Sequence, residues 1–356
     1  MYQLRSGRSP HVEVDIPLED HVSRLKQRLT SADPDFESVK IHLHELSRCM
    51  LSLPPSKRDD EAKRYLPGGL TLQWLWKHNL HLKKKFVDDP EMMDLLALLL
   101  VAEKLDHFIE QWIVVEIEPK IVQSLGHGGF HWRSTLWRAL VRAELKLGGN
   151  SADAAIQRLF TIQGLKEKAL KALKAQKANA ATGDGQFWQA SAHPAEVVLT
   201  SLLTSGKHDS RGHFWETKAS QYERLERFIA ADARHQARNI DWMLSKLALW
   251  HPTQPDPNLA LDMLRRHHVD IFDVCDISTQ QGRFAVLNQA RRTAFLLRQR
   301  ERFADAEWVE SLLPSLAPGF TIRKYGGGLY YARHSNKIKA VGGAQPLSQD
   351  TRNKPP

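Results

Sequence analysis

The chain has 356 residues, is 42% hydrophobic and 26% charged, and carries a formal net charge of +9. That composition belongs to a globular protein and excludes a disordered one, and the length allows one large domain or two ordinary ones. Only two cysteines occur, Cys49 and Cys275, which excludes a disulfide scaffold, favours a reducing intracellular compartment and makes no metal site by itself.

Residues 1–17 read as an irregular leader. Arg5 and Arg8 stand there without an acid up to residue 11, as in a mitochondrial transit segment, although Glu13, Asp15, Glu19 and Asp20 follow at once. A mitochondrial location is therefore expected over a cytoplasmic or nuclear one. Helical signal starts near Pro17, with Val22, Leu25 and Leu29 at spacings of three and four. A second helix is predicted from Asp35 to Leu53 on the stripe Val39, Leu43, Leu46 and Met50, ended by Pro54-Pro55. The charged stretch Lys57 to Arg64 then leads into Pro67-Gly68-Gly69, read as a turn.

From Leu70 the chain reads as long, tryptophan-rich helices, the first with an apolar face of Leu72, Leu75, Trp76 and Leu80. Ten tryptophans occur, and core packing is the expectation for most of them. Asp88-Asp89-Pro90-Glu91 is a helix start, with an acidic cap, proline in the first turn and acids at the positive dipole end. The helix after it is expected to reach about Ile117 with an interruption near Asp106, and Val114-Val115 and Ile121-Val122 carry strand character. The apolar run Leu95 to Ala102 is far shorter than the roughly 20 residues of a membrane span, so no span is expected.

Gly126-His127-Gly128-Gly129 reads as a loop, Ser134–Leu147 as a helix, and Gly148-Gly149-Asn150 as a stop. Ser151 caps the next helix, and a lysine-rich helical stretch covers about 165–178. Ala181 to Gly185 is a flexible break. Helices are predicted again near 194–204, 214–233, 239–250, 259–267 and 283–313, with Pro252, Pro255 and Pro257 marking a rigid connector. The segments expected are 1–66, 67–180, 186–313 and a basic, irregular tail at 314–356. The fold class expected is all-α, with antiparallel helix pairs stacked as an irregular α-solenoid or helical array and a short non-helical basic tail.

Four stretches share one shape, an apolar helix, a short polar break and a helix with small residues inside: Met93–Trp112, Ser134–Phe160, Asp241–Leu264 and Ala285–Leu312. The second helices begin Ala152-Asp153-Ala154-Ala155, Asn258-Leu259-Ala260 and Phe303-Ala304-Asp305-Ala306. A repeated small residue suits closely packed helix pairs stacking on a common core. The pattern, over residues 70–313, resembles a degenerate pentatricopeptide- or tetratricopeptide-like helical repeat protein, although its spacing is irregular where those families keep a period of about 34 residues. That resemblance implies a curved binding surface, for RNA in the first family and for peptides in the second.

Basic charge sits in two places. Residues 311–356 hold +6 and residues 164–178 hold +4 of the +9, leaving −1 for everything else. In the lysine-rich helix, Leu165, Ala169, Ala172 and Leu173 are expected on one side, with Lys168, Lys171, Lys174 and Lys177 spread over the other. In the tail, Arg323, Lys324, Tyr325, Tyr330, Tyr331 and Arg333 interleave cations and aromatics among glycines, and Lys337 and Lys339 follow. Lysine and arginine meet phosphates while tyrosines stack on exposed bases, although the same glycines also suit a small hairpin.

The histidine groups His208, His213, Glu216 and His267, His268, Asp270, Cys275 lack zinc spacing, so no metal or other cofactor is expected. There is no Walker loop, GxSxG or Rossmann glycine pattern, and thus no recognisable catalytic motif. Two readings follow: an organellar RNA-associated helical repeat protein that binds mostly electrostatically, or a helical scaffold that binds protein partners through its surface.

Overall fold

The computed structural model describes residues 17–31, 35–77, 80–114, 131–149, 151–178, 191–204, 216–231, 237–274, 280–316, 324–325 and 328–329. Its described residues are helical, apart from connecting turns and two strands of two residues each. Helix α1 (Leu18–Leu29) places Glu19 and Asp20 in its first turn and Lys26 and Arg28 in its last, so charges match the helix dipole at both ends. Helix α2 (Phe36–Ser52) starts where Asp35 accepts hydrogen bonds from the Glu37 and Ser38 amides, at 3.3 and 3.0 Å. Its expected stripe, Val39, Leu43, Leu46 and Met50, is buried against α1 and the central helix α6.

The charged stretch after Pro54 is itself a helix, α3 (Pro55–Tyr65), with proline at its first position. It ends at Leu66 in the left-handed conformation, φ 49°. Pro67-Gly68-Gly69 is not a free turn but the first turn of α4 (Pro67–Lys77). Proline suits a helix start, and the amides of Gly68 and Gly69 both donate to the Glu103 carboxylate, at 2.5 and 2.8 Å. On α4 the buried residues are Thr71, Leu72, Trp74 and Leu75, whereas Trp76, expected on the inner face, is 48% exposed.

Helix α5 (Leu80–Asp88) precedes α6 (Pro90–Glu103), capped as expected by Asp89. Every residue of α6 from Leu95 to Glu103 is buried, and α2, α3, α4 and α5 all pack on it. Lys104, at φ 62°, ends it, and α7 (His107–Val114) follows. Val114, for all its strand character, is helical, inside the stretch expected to be helical to about Ile117, while Val115, Ile121, Val122 and the loop at 126–129 lie outside the described residues. Helix α8 (His131–Leu147) is the main partner of α6 and carries the buried Leu136, Trp137, Leu140 and Val141.

Helices α9 (Asp153–Ala178), α10 (His193–Thr204), α11 (Ala219–Ala231), α12 (Ala237–Leu249), α13 (Asn258–His267) and the short α14 (Ile271–Val274) follow. Among them α10 packs on α8 and α12, and α11 on α12 and α9. The proposed pairing of α8 with α9 and of α12 with α13 is present as contact, and their small residues Ala155 and Ala260 are fully buried.

Contacts divide the chain into two compact units, Met1–Ser278 and Thr279–Pro356. The second holds α15 (Gln280–Gln299) and α16 (Phe303–Leu316), which pack together with Ala306 buried. The stretch read as helical over 283–313, with a helix–break–helix shape inside it, is two helices, broken where Glu301 takes φ 60°. Two short strands, β1 (Lys324–Tyr325) and β2 (Gly328–Leu329), pair antiparallel with Lys324 opposite Leu329 and Tyr325 opposite Gly328, and β2 lies against α15. Among the described residues no helix is long and apolar enough to cross a membrane.

Candidate nucleic-acid interface

Helix α9 carries the internal basic cluster, and its first half explains how it is held. The Asp153 amide donates to Ser151 Oγ at 3.1 Å, which makes Ser151 the expected start signal. Just before the helix, the Ala152 amide donates to the Glu216 carbonyl at 3.0 Å, and the Lys218 amide donates to Asp153 Oδ1 at 3.0 Å. Ala155, Ile156, Leu159 and Ile162 then give a buried stripe at helical spacing.

Arg158 ties this half of α9 to its neighbours. Its Nη1 meets Asp106 Oδ2 at 2.6 Å and also Glu110 of α7, while Nη2 reaches Glu144 Oε1 of α8 at 2.6 Å. All four side chains are mostly buried. Burial alone would disfavour the guanidinium charge, but Glu144, Asp106 and Glu110 outweigh it and hold the Arg158 pKa above its ordinary value. Three carboxylates on one guanidinium leave a local charge of −2, so this cluster is a structural clamp and no anion would enter it.

The second half behaves differently. Lys166 is buried, with Nζ 5.7 Å from the Trp137 ring centroid, a cation–π contact. Leu165 and Ala169 are half-buried, and Ala172 is exposed. The buried face is therefore turned from the expected one: a lysine stem lying on Trp137 is inside, and Ala172 is outside. Lys168 and Lys171 are exposed and make no ion pair among the described residues. Lys174 and Lys177 continue the same helix, so the four lysines span about 14 Å of its axis.

Cations missed by the sequence reading lie beside this helix on α11. Arg224 stacks over the Phe160 ring at 3.8 Å and its Nη1 donates to Gln157 Oε1 at 3.3 Å, while Phe160 packs edge-to-face on Phe228 at 5.3 Å. Arg224 and Arg227 are both exposed. Nothing local marks Arg224, because its partner stands more than sixty residues earlier.

The tail residues belong to the second compact unit. Lys324 and Tyr325 form β1. Arg323, Tyr330, Tyr331, Arg333, Lys337 and Lys339 lie outside the described residues, as do His208, His213 and Cys275. Among the described residues no group of three or more His, Cys, Asp or Glu side chains is arranged to hold a metal ion. No protein-family model, curated protein or solved structure matches this chain.

Proposed function

We propose that this chain associates with RNA, gripping the phosphate backbone mainly by charge, as a helical array of the pentatricopeptide-like kind. The observation that supports this most is the contrast within α9. Arg158 is held by three acids, whereas Lys168 and Lys171 are exposed and pair with no acid among the described residues. Unpaired cations along one helix condense phosphates, and binding then releases counterions. The cation- and tyrosine-rich tail around Lys324 and Tyr325 is the second grip in this reading, and the acid-free stretch with Arg5 and Arg8 supports a mitochondrial setting.

The test is fluorescence anisotropy of the full chain with a generic single-stranded RNA from about 50 to about 200 mM salt. Four phosphates neutralised by α9 would give a slope near −3 in log affinity against log salt, at about 0.7 per phosphate. Lys168→Glu with Lys171→Glu should weaken binding and flatten that slope, as should Arg323→Glu with Lys324→Glu in the tail. No RNA binding even at the lowest salt would overturn this reading and leave the protein-partner scaffold as the better account.

A further inference from the structure

A second surface of the larger unit has the composition of a base-stacking site. Five rings form a continuous series across three helices. Phe86 of α5 is buried and meets Trp112 of α7 at 6.1 Å, Trp112 meets Trp76 of α4 at 6.0 Å, and Trp76 meets Phe108 of α7 at 5.8 Å. His107 then lies on Phe108 at 4.2 Å. The interplanar angles of 68°, 62° and 85° are edge-to-face, the arrangement that aromatic quadrupoles favour. Phe108 and Trp112 share one face of α7 at a spacing of four, and Ile109 and Ile113 on the adjoining face are buried.

The outcome is a tryptophan fixed by its neighbours on one side and open on the other, since Trp76 is 48% exposed while Phe86 is 4% exposed. A side chain held in place by rings loses little freedom when a flat partner covers its open face. The charge around it selects that partner. Lys77 next to Trp76, and Lys83 and Lys84 on α5, make no ion pair among the described residues. Helices α4, α5 and α7 together contain only two acids, Asp88 and Glu110, and Glu110 is taken up by Arg158. An exposed tryptophan followed in the chain by an exposed lysine, on helices poor in acids, suits a planar group attached to an anionic backbone.

We infer that Trp76, held by Phe108 and Trp112, stacks on an unpaired nucleobase of single-stranded RNA while Lys77 and Lys84 contact the adjoining phosphates. This inference rests on the RNA-binding reading and adds to it the part of the ligand recognised here, the base. No bond is made or broken.

The test compares two labelled probes on the full chain by anisotropy: an oligouridylate of about twelve nucleotides and an abasic ribose-phosphate oligomer of the same length. The wild-type chain should bind the oligouridylate about tenfold tighter than the abasic probe. Trp76→Ala should remove that preference without weakening the abasic probe, and Trp76→Phe should keep most of it. Lys168→Glu with Lys171→Glu should weaken both probes alike and leave the preference. Lys77→Glu with Lys84→Glu, at surface positions that do not support the fold, should weaken both probes severalfold. Equal binding of the two probes by the wild type overturns the stacking site while the electrostatic reading stands. A preference that survives in Trp76→Ala overturns it too, and leaves this face to a protein partner. Failure of the wild type to bind either probe overturns both readings.

Discussion

Glu103 at the end of α6 closes the beginning of α4 by accepting the Gly68 amide at 2.5 Å, with the Gly69 amide on its other oxygen at 2.8 Å. The first amides of a helix have no partner inside it, and α4 has no serine, threonine or aspartate before Pro67 to serve them. A buried carboxylate from a helix 35 residues away in sequence does so instead.

Gly68 is tightly enclosed by this arrangement. A Cβ there would lie 2.9 Å from Glu103 Oε1, 3.0 Å from the Leu100 amide nitrogen and 3.1 Å from Leu99 Cβ. Gly68→Ala should therefore destabilise the fold by about 2 kcal/mol, although alanine is the better helix former in the abstract. At Gly69 the nearest atom is the flexible Leu105 Cδ1 at 3.3 Å, so Gly69→Ala should cost under about 1 kcal/mol. Urea denaturation of the two variants checks the order, and a reversed order would show that the α4 start is not packed against α6 as described.

Burial pushes the Glu103 carboxyl up from its usual 4.5 to about 7, against the opposing pull of the Gly68 and Gly69 amides. The folded state then holds this proton more tightly than the unfolded one. The group's contribution to stability is full below about pH 4.5 and is lost as pH rises to about 7, by about 3 kcal/mol in all. Glu103→Gln does not titrate, so its deficit relative to the wild type should be largest near pH 4.5 and shrink toward pH 8. Denaturation midpoints measured across that range supply the comparison. A deficit that stays constant means that the amides outweigh burial and keep the carboxylate ionised throughout.

Arg158→Met would leave Asp106, Glu110 and Glu144 mostly buried with no cation among them. The expected loss is about 3–5 kcal/mol, much of it the penalty of uncompensated charge. Adding Glu110→Gln and Glu144→Gln to Arg158→Met should restore part of the stability, because fewer buried charges then stand alone. If the single variant loses less than about 1 kcal/mol in urea, water reaches these carboxylates and the clamp on α9 is weak.

Asp89 has two tasks. It accepts from the Glu91 and Met92 amides at 3.0 and 2.9 Å, and Lys40 of α2 donates to it at 2.8 Å. Burial acts to raise its pKa, but the Lys40 ammonium and the helix amides hold it below the ordinary carboxylate value. Its contribution is thus present above that ordinary value and lost as pH falls through the lowered one. Asp89→Ala should cost about 1–2 kcal/mol and Asp89→Asn about half of that, since asparagine still caps but does not pair with Lys40. Thermal melts at neutral pH distinguish the two, and equal losses would assign the whole effect to the ion pair.

Several elements are legible from local pattern. The starts of α2 and α6 follow from Asp35 and Asp89, and the buried stripes of α1 and α2 follow from apolar residues three and four apart. The all-helical class follows from the same periodicity repeated along the chain, and the lysine richness of α9 from composition alone. Each of these depends on residues within about one helical turn, where a side chain meets its own backbone. The tertiary structure decided the rest. It made Pro67 a helix start because Glu103 was there to receive the amides, and turned Lys166 inward because Trp137 offered a ring. It also gathered three acids from α7, α8 and the turn before α7 onto Arg158 and left Trp76 open among Phe108 and Trp112. Those outcomes depend on partners tens of residues away, and helical periodicity holds no information about which distant side chain will face a given one.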